Sequence, residues 1–248
     1  MRCYLVRHAQ TAWNGENRLQ GHSDLALSAL GLEQARRVGA YFNQMQRGGR
    51  RLCTLYVSHL ARSLQTAEAI ADHTGLRPVV EPGLAEIGLG EWEGLTPEEI
   101  DARFQGAYQQ WRLAPSTVTI PGAEPLLRFR ERVRQVLARI LAARQEEGDI
   151  ALVTHGGVIA SVLADCLEAD YDRFLRRLVL DNAGVSALNG WIRPPHILWV
   201  NATTHLDPHP PDEPMAPGSG SNGAGATDSG ESGGAGERGG VPSPLATS

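Results

Sequence analysis

The sequence of 248 residues contains no lysine, so all 23 of its basic side chains are arginine. This absence excludes Schiff-base catalysis and the type of nucleotide-binding loop that holds phosphate with a lysine. The guanidinium group is then the only permanent cation in the chain, and its planar set of donors matches the oxygens of a phosphate group. A strong anion-binding site in this protein must therefore be built from arginine.

Cysteine is also scarce, since only Cys3, Cys53 and Cys166 are present. Three scattered cysteines are too few for a disulfide framework, and their spacing matches no zinc-binding pattern. This usage is typical of a reduced, cytoplasmic protein, and cytoplasmic is the location that we expect.

Long apolar segments are missing as well. The longest uncharged apolar stretch, residues 150–164, contains His155 and two glycines and falls short of the ~20 residues that a membrane-spanning helix needs. Arg7 and His8 occupy the positions where an export signal would carry its apolar part. We therefore expect neither a membrane segment nor export.

The net negative charge of the chain comes from residues 207–248. This segment carries six acidic residues and one arginine, which accounts for the whole net charge of −5, and 10 of its positions are glycine, 7 proline and 6 serine. Such a composition cannot bury enough apolar surface to offset the entropy lost on ordering. We expect a disordered tail at 207–248 and a single folded domain at 1–206.

Residues 1–206 are electrically neutral once the tail is set apart. A neutral body offers no broad basic surface to nucleic acid or to an anionic membrane. We expect neither as a partner, and any anion should bind in a local pocket.

Strand-like and helix-like segments alternate within residues 1–206. Short apolar runs predict six strands, at 3–6, 52–57, 77–80, 150–154, 185–188 and 197–200. Between them, apolar residues recur at helical spacing, with Ser28 and Thr96 as predicted N-caps and with long helices at about 125–145 and at 156–167. This alternation predicts an α/β fold, a three-layer α/β/α sandwich with a mostly parallel, mixed six-stranded sheet.

Polar residues follow three of the predicted strands. They are Arg7 and His8 after the first strand, Ser58 and His59 with Arg62 one turn later after the second, and His155 with Gly156 and Gly157 after the fourth. Ligands of such sheets bind beyond the carboxyl ends of the strands. Two histidines and two arginines are therefore predicted to meet at one edge of the sheet, where glycines at a helix start would let backbone N–H groups face an anion.

Each of these residues has an ordinary structural explanation when it is considered alone. A histidine at a strand end is commonly structural, Arg7 could form a surface ion pair, and Arg62 could be a solvated helix residue. Glu86 alone is a loop carboxylate, and His59 is interpreted as structural. Only the combination predicts a functional site.

Four segments together resemble the signature of a known family, the histidine phosphatase superfamily with its phosphoglycerate mutase-like fold. Residues 6–11 (Val-Arg-His-Ala-Gln-Thr) resemble its Arg-His-Gly-Glu-Thr motif, and residues 58–67 resemble the motif Ser-x-x-x-Arg-x-x-x-Thr-Ala. Residues 86–94 (Glu-Ile-Gly-Leu-Gly-Glu-Trp-Glu-Gly) are similar to its acid-bearing loop, and residues 153–157 (Val-Thr-His-Gly-Gly) to its second-histidine motif. The motifs occur in the family's order and favour its phosphatase branch.

The resemblance implies a catalytic role for five residues. His8 would be the nucleophile, Glu86 the general acid, and the phosphoryl group would be bound by Arg7, Arg62 and His155. Contacts to phosphate or substrate are also implied for Asn14, Gln20, Gly21 and Gly156. No metal and no other cofactor is implied, and the partner is a small phosphorylated metabolite.

Two residues of the first motif and one later stretch depart from the family pattern. Ala9 replaces a glycine and Gln10 replaces a glutamate, which we interpret as relieving a negative charge near the phosphate. Residues 122–125 (Gly-Ala-Glu-Pro) differ from the usual Gly-Gly-Glu-Ser of the phosphatase branch. Residues 96–130 are expected to form a lid, in which Trp111 and Arg112 are candidate contacts, whereas Arg128 and Arg130 are interpreted as solvated helix residues.

The residue types also indicate how such a site would react. Two guanidinium groups and a protonated His155 would neutralise the oxygens of the transferring group. The same charges would keep His8 neutral, because a neighbouring cation disfavours the imidazolium form. A neutral imidazole is a nucleophile without help from a metal, and Glu86 would start protonated, donate to the leaving oxygen and then act as a base on water.

Two alternatives to a phosphatase remain at this point. A phosphoglycerate mutase would return the phosphoryl group to the substrate, but mutase relatives carry a longer insert than the 69 positions between Glu86 and His155, and their acid loop reads Glu-Arg-x-Tyr. A non-catalytic phosphoester-binding protein would have no need of Glu86. Neither the individual substrate nor the oligomeric state follows from the sequence.

Overall fold

The structure is a computed structural model that describes residues 1–143, 148–189 and 195–207. Apart from Asp207, the predicted tail at 207–248 lies outside the described residues. None of the helices in the described ranges is both long enough and apolar enough to cross a membrane.

The six predicted strands form one mixed sheet. They are β1 (Arg2–Arg7), β2 (Leu52–Val57), β3 (Pro78–Val80), β4 (Asp149–Thr154), β5 (Val185–Asn189) and β6 (His196–Ala202), in the order β3-β2-β4-β1-β5-β6. The strands β3, β2, β4 and β1 pair in parallel, whereas β5 is antiparallel to β1 and to β6. The predicted mostly parallel, mixed sheet is confirmed.

Eight α-helices accompany the sheet in the described residues. They are α1 (Ala12–Gly15), α2 (Ala29–Arg47), α3 (Ala61–Thr74), α4 (Pro97–Arg103), α5 (Ala107–Leu113), α6 (Leu126–Ala142), α7 (Gly156–Cys166) and α8 (Tyr171–Leu175). The N-caps predicted at Ser28 and Thr96 are confirmed, since each hydroxyl accepts a backbone N–H bond from the first turn that follows. The long helix predicted at about 125–145 is α6, which ends at Ala142; positions 144 and 145 lie outside the described residues.

Both faces of the sheet are buried by helices. Alternate strand residues point to opposite faces, so Tyr4 and Val6 pack against α2 and α3 while Cys3 and Leu5 pack against α6 and α7. Near-continuous apolar strands are typical of sheets that are covered on both sides, which confirms the three-layer α/β/α sandwich. On α2, Leu32 shares the helical spacing of the core residues but is 43% exposed.

The register of the central strands brings distant segments together. Arg7 pairs with Thr154 across β1 and β4, and the His8 N–H donates to the carbonyl oxygen of Thr154 at 2.8 Å. His8 and His155 thus leave neighbouring parallel strands at the same level. The residues after β2 leave at that level too, since the Ser58 N–H donates to the carbonyl oxygen of Val153 at 3.0 Å.

The segment between β3 and α6 has a small apolar cluster of its own. Leu89, Trp92 and Ile100 form its buried centre. Around them pack aromatic and aliphatic side chains of α4, α5 and the following turn, namely Phe104, Tyr108, Trp111, Val118 and Ile120. The predicted lid segment is therefore a folded layer with its own core.

Candidate active site

The predicted site residues converge at the carboxyl edge of the sheet. His8 follows β1, Arg62 lies in the first turn of α3, and His155 is the N-cap residue of α7. Glu86 comes from the loop that follows β3. The imidazole rings of His8 and His155 have their centroids 5.2 Å apart, so the two histidines share one site.

The tautomer of His8 follows from its single hydrogen bond. Its Nδ1 lies 2.8 Å from the carbonyl oxygen of Ala9, and a carbonyl oxygen can only accept, so Nδ1 carries the proton. The other ring nitrogen, Nε2, is then an unprotonated base in the neutral ring. This is the atom that can attack phosphorus.

His155 is held from the opposite side of its ring. Its Nε2 lies 2.8 Å from the hydroxyl oxygen of Ser58 and 3.3 Å from that of Ser63, and the whole residue is buried. Its Nδ1 has no hydrogen-bond partner. When the serine hydroxyls donate to Nε2, the proton of the neutral ring resides on Nδ1, which becomes an available donor.

Arg62 is buried and is fixed by main-chain oxygens. Its two terminal nitrogens donate to the carbonyl oxygens of Ser23 and Gly21, each at 2.8 Å, and it is only 1% exposed. Arg7 donates through Nη1 to the carbonyl oxygen of Leu180. Both arginines are therefore held by neutral groups, and their charge is not cancelled by a direct ion pair in the described residues.

Three buried donors of this site lack a protein partner. They are Nε of Arg7, Nε of Arg62 and Nδ1 of His155. Buried polar atoms are normally hydrogen-bonded, so several unpartnered donors close together require an explanation. A tetrahedral oxyanion placed among them would satisfy them, because each donor could bond one of its oxygens.

Burial and positive charge keep both histidines neutral. Desolvation, followed by the charges of Arg7 and Arg62, lowers the pKa of His8 well below its usual value. For His155, desolvation is again the largest cause, followed by His8, Arg62 and Arg7, and its pKa is also held well below the usual value. These causes oppose the protonated His155 expected from the sequence and favour a neutral ring that can donate through Nδ1.

Glu86 is positioned at the start of α7. Its carboxylate accepts the backbone N–H of Ile87 at 2.9 Å and that of Gly157 at 3.0 Å. A Cβ atom at position 157 would lie 2.4 Å from Oε1 of Glu86, so a glycine is needed there for this approach. Glu86 lines the same cavity as His8, Arg7 and Arg62.

Arg132 holds the loop of Glu86 in place and was missed by the sequence analysis. It donates to the carbonyl oxygens of Gly83 and Ala85 at 2.9 Å and to that of Glu86 at 3.2 Å. It also forms a paired contact with the Glu124 carboxylate, at 2.7 and 3.0 Å. No sequence motif marks Arg132, because a helix arginine directed at a distant loop has no local signal.

His22 and Glu93 are two further positioning residues that the sequence did not reveal. Nε2 of His22 donates to the carbonyl oxygen of Glu86 at 2.7 Å. The Glu93 carboxylate accepts the backbone N–H groups of His22 and Leu89 at 2.8 and 3.0 Å. Glu93 thereby ties the acid-bearing loop to the 21–23 segment whose carbonyl oxygens hold Arg62.

Three of the four predicted substrate contacts line the cavity. Asn14 and Gln20 line the cavity, and the Oε1 atom of Gln20 is buried without a partner. Gly21 lines it too and has φ of +53°, a conformation in which a Cβ would meet Glu93 at 2.2 Å. Gly157 lines the cavity, whereas the predicted Gly156 does not.

Several secondary expectations are corrected by the structure. The side chain of Gln10 accepts a hydrogen bond from Ser28 and does not line the cavity, so its neutrality does not act on the phosphate. Arg130 is not a solvated helix residue, because it is paired with Asp165 at 2.5 Å and stacks on the ring of Tyr171 at 4.7 Å. His59 is exposed at the surface, in agreement with a structural interpretation.

The site opens into a cavity of about 570 Å³. The lid contributes Trp111 to its wall, but the other candidate contact, Arg112, is exposed and lies outside the lining. Arg128 is exposed, as expected for a solvated helix residue. His155 is fully buried and is not part of the lining surface. The cavity exceeds the size of a phosphate group, so it has room for the alcohol part of an ester.

Comparison with known proteins gives a consistent result. The model of the histidine phosphatase superfamily (branch 1) matches residues 3–203. The chain is 33% identical over 196 residues to a glucosyl-3-phosphoglycerate phosphatase of Mycobacterium tuberculosis, which covers 76% of this chain and 85% of the relative. It is 32% identical, with the same coverage, to a probable phosphoglycerate mutase of Erwinia tasmaniensis.

Solved structures resemble the chain over a similar extent. A mycobacterial glucosyl-3-phosphoglycerate phosphatase in complex with VO3 superimposes with a TM-score of 0.73 and 30% identity. The match covers 82% of this chain and 99% of that structure.

Proposed function

The chain belongs to the histidine phosphatase superfamily, and we propose that it hydrolyses the phosphate monoesters of small metabolites through a phosphohistidine on His8. The observation that carries the proposal is the cluster of three unpartnered buried donors, from Arg7, Arg62 and His155, beside the unprotonated Nε2 of His8. This arrangement supplies a nucleophile and a receptor for the phosphoryl oxygens at one place.

The first half-reaction transfers the phosphoryl group to the protein. The lone pair of His8 Nε2 attacks phosphorus while the bond from phosphorus to the ester oxygen breaks. Arg7 and Arg62 offset the charge on the phosphoryl oxygens, and His155 donates one neutral hydrogen bond to them. Glu86, protonated at the outset, gives its proton to the departing oxygen, so that an alcohol leaves and the carboxylate remains.

The second half-reaction releases inorganic phosphate. The Glu86 carboxylate takes a proton from a water molecule as that water attacks phosphohistidine, and the bond from nitrogen to phosphorus breaks. His8 and protonated Glu86 are regenerated together. The scheme uses a neutral imidazole and arginine charges in place of a metal ion, so we expect full activity after EDTA treatment; a strict requirement for added Mg²⁺ would contradict it.

Phosphoglycerate mutase activity is the second candidate, because a probable mutase is among the similar proteins. We favour hydrolysis because only 69 positions separate Glu86 from His155. The family resemblance implies a longer insert between these two residues in a mutase. The test is incubation with 3-phosphoglycerate together with a panel of metabolite phosphates. Inorganic phosphate from one or more esters of the panel is the expected product; 2-phosphoglycerate without phosphate would establish the mutase, and binding without any product would establish a phosphoester-binding protein.

We further propose that residues 1–206 form the catalytic domain and that the protein works in the cytoplasm. The family model ends at residue 203, and all three cysteines are free thiols. A chain shortened after residue 206 is expected to keep the kcat/KM of the full chain. Loss of activity in a folded truncation would assign a role to residues 207–248.

A further inference from the structure

The cavity wall beyond the phosphate-binding groups is dominated by apolar side chains. It includes Leu19, Ile87, Trp111, Val118, Ile120 and Leu126. Leu19 comes from the segment after α1, and the others come from the acid-bearing loop, from the lid and from the start of α6. The alcohol part of a bound ester must lie against this wall, because the phosphoryl group occupies the site at His8.

The charged residues of the outer wall already have partners. Arg18 donates to Glu99 at 2.8 Å, to Glu16 at 3.0 Å and to the carbonyl oxygen of Gly94 at 2.7 Å. Glu124 is in the paired contact with Arg132. Among the described residues that line the cavity, the only other cations are Arg7 and Arg62 of the phosphate site.

Nearby arginines behind the wall are engaged as well. Arg130 is paired with Asp165 and stacks on Tyr171, and neither Arg130 nor Arg132 lines the cavity. A second anionic group on the substrate would therefore lose its hydration without gaining an unengaged cation, which is costly in a partly buried site. The chain contains no lysine that could reach in from elsewhere.

The exposure of Leu127 independently indicates a ligand with apolar surface. It lines the cavity and is 79% exposed, although an exposed leucine in the first turn of a helix contributes nothing to the core. A ligand with apolar surface would cover it, and each buried methylene group strengthens binding by about fourfold.

We propose that the substrates of this site are monoesters whose alcohol part carries no second anionic group and presents apolar surface. The proposal rests on the phosphatase activity proposed above and specifies its substrate class. The proposed substrate class excludes phosphoglycerates, because the carboxylate of a phosphoglycerate would need a cation of its own in the site.

The test compares two esters with matched leaving groups, pentyl phosphate and 5-phosphooxypentanoate. They differ by a terminal carboxylate that is four carbons from the ester oxygen. We expect kcat/KM to be at least about tenfold higher for pentyl phosphate, and to rise about fourfold per methylene from ethyl to pentyl phosphate. Equal or higher kcat/KM for the carboxylate ester would overturn the proposal.

Variants of Leu127 and Arg18 test whether the charge of the cavity wall determines the preference between the two esters. Leu127→Arg is expected to raise kcat/KM for the carboxylate ester about tenfold, whereas the uncharged control Leu127→Gln should not. In Arg18→Gln the ratio between the two esters should stay as in the original chain. A carboxylate preference that disappears in Arg18→Gln would show that Arg18 receives a substrate carboxylate, which contradicts the proposal.

The outcomes also separate this proposal from the activity itself. Turnover of both esters with the wrong preference overturns the substrate class alone. No phosphate release from either ester, or from p-nitrophenyl phosphate, overturns the phosphatase proposal and the substrate class with it.

Discussion

The hydroxyl oxygen of Ser58 lies 2.8 Å from Nε2 of His155, and both residues are fully buried. When the Ser58 hydroxyl donates to Nε2, the proton of the neutral His155 ring resides on Nδ1, the nitrogen without a protein partner. The His8 ring also carries its proton on Nδ1, which donates to the carbonyl oxygen of Ala9, and its unprotonated Nε2 is the nucleophilic atom. Two neutral histidines with the proton on the same ring nitrogen can thus act differently, His8 as nucleophile through Nε2 and His155 as donor through Nδ1.

Ser58→Ala is expected to lower kcat/KM about tenfold, because His155 loses the contact that selects its tautomer and a net hydrogen bond of ~1 kcal/mol. The matched control is Ser161→Ala, since Ser161 is also buried but its hydroxyl has no hydrogen-bond partner. The ¹⁵N chemical shifts of His155 should report a changed tautomer population only in Ser58→Ala. Equal losses of kcat/KM in both variants, with unchanged ¹⁵N shifts of His155, would mean that Ser58 only contributes to packing.

Glu86→Gln is expected to slow hydrolysis according to the leaving group. An amide cannot donate the proton that a poor alkoxide leaving group needs, and general acid catalysis typically contributes ~10²–10⁴-fold. The loss in kcat/KM should approach this range for an alkyl phosphate and be much smaller for p-nitrophenyl phosphate. Similar losses for both substrates would argue against Glu86 as the proton donor.

The buried histidines predict how stability depends on pH. Because the folded-state pKa of His8 is lowered, the unfolded chain binds a proton below about pH 6.5 that the folded chain does not. Stability is therefore full above this pH and falls as the pH decreases, by up to about 1.4 kcal/mol per pH unit for each such histidine. His155 contributes in the same direction.

His8→Gln should reduce the slope of unfolding free energy against pH between pH 6 and pH 5. The exposed residue His59 provides the control variant His59→Gln, which should leave the slope unchanged. Urea unfolding at several pH values measures both. A slope in His8→Gln equal to that of the original chain would mean that His8 takes up its proton without unfolding.

The sequence predicted the sheet and the meeting of the strand ends for physical reasons. Apolar runs of strand length and helical periodicity are local patterns, and the rule that parallel strands present ligands at their carboxyl ends places His8 beside His155. Other features depend on contacts between distant segments. Arg132 reaches the Glu86 loop across 46 positions, and Glu93 reaches back 71 positions to His22, so neither contact has a local signature.

The protonation state of His155 shows a second limit of sequence reasoning. A histidine in a phosphate site suggests a cation, but complete burial and two neighbouring guanidinium groups lower the pKa of His155 and favour its neutral form. Burial is a property of the assembled fold. The same holds for the outer cavity wall, since Arg18 pairs with Glu99 only when the lid and the 16–18 segment are in contact.

The central claim is that His8 carries the phosphoryl group during turnover. Rapid denaturation in base during hydrolysis of a ³²P-labelled monoester, followed by peptide mapping, tests it most directly. We predict one label on His8 that is stable to base and labile to acid, is absent in His8→Ala, and is retained longer in Glu86→Gln when the ester has a good leaving group. Turnover without any label on the original chain, or a label that persists in His8→Ala, would contradict the mechanism.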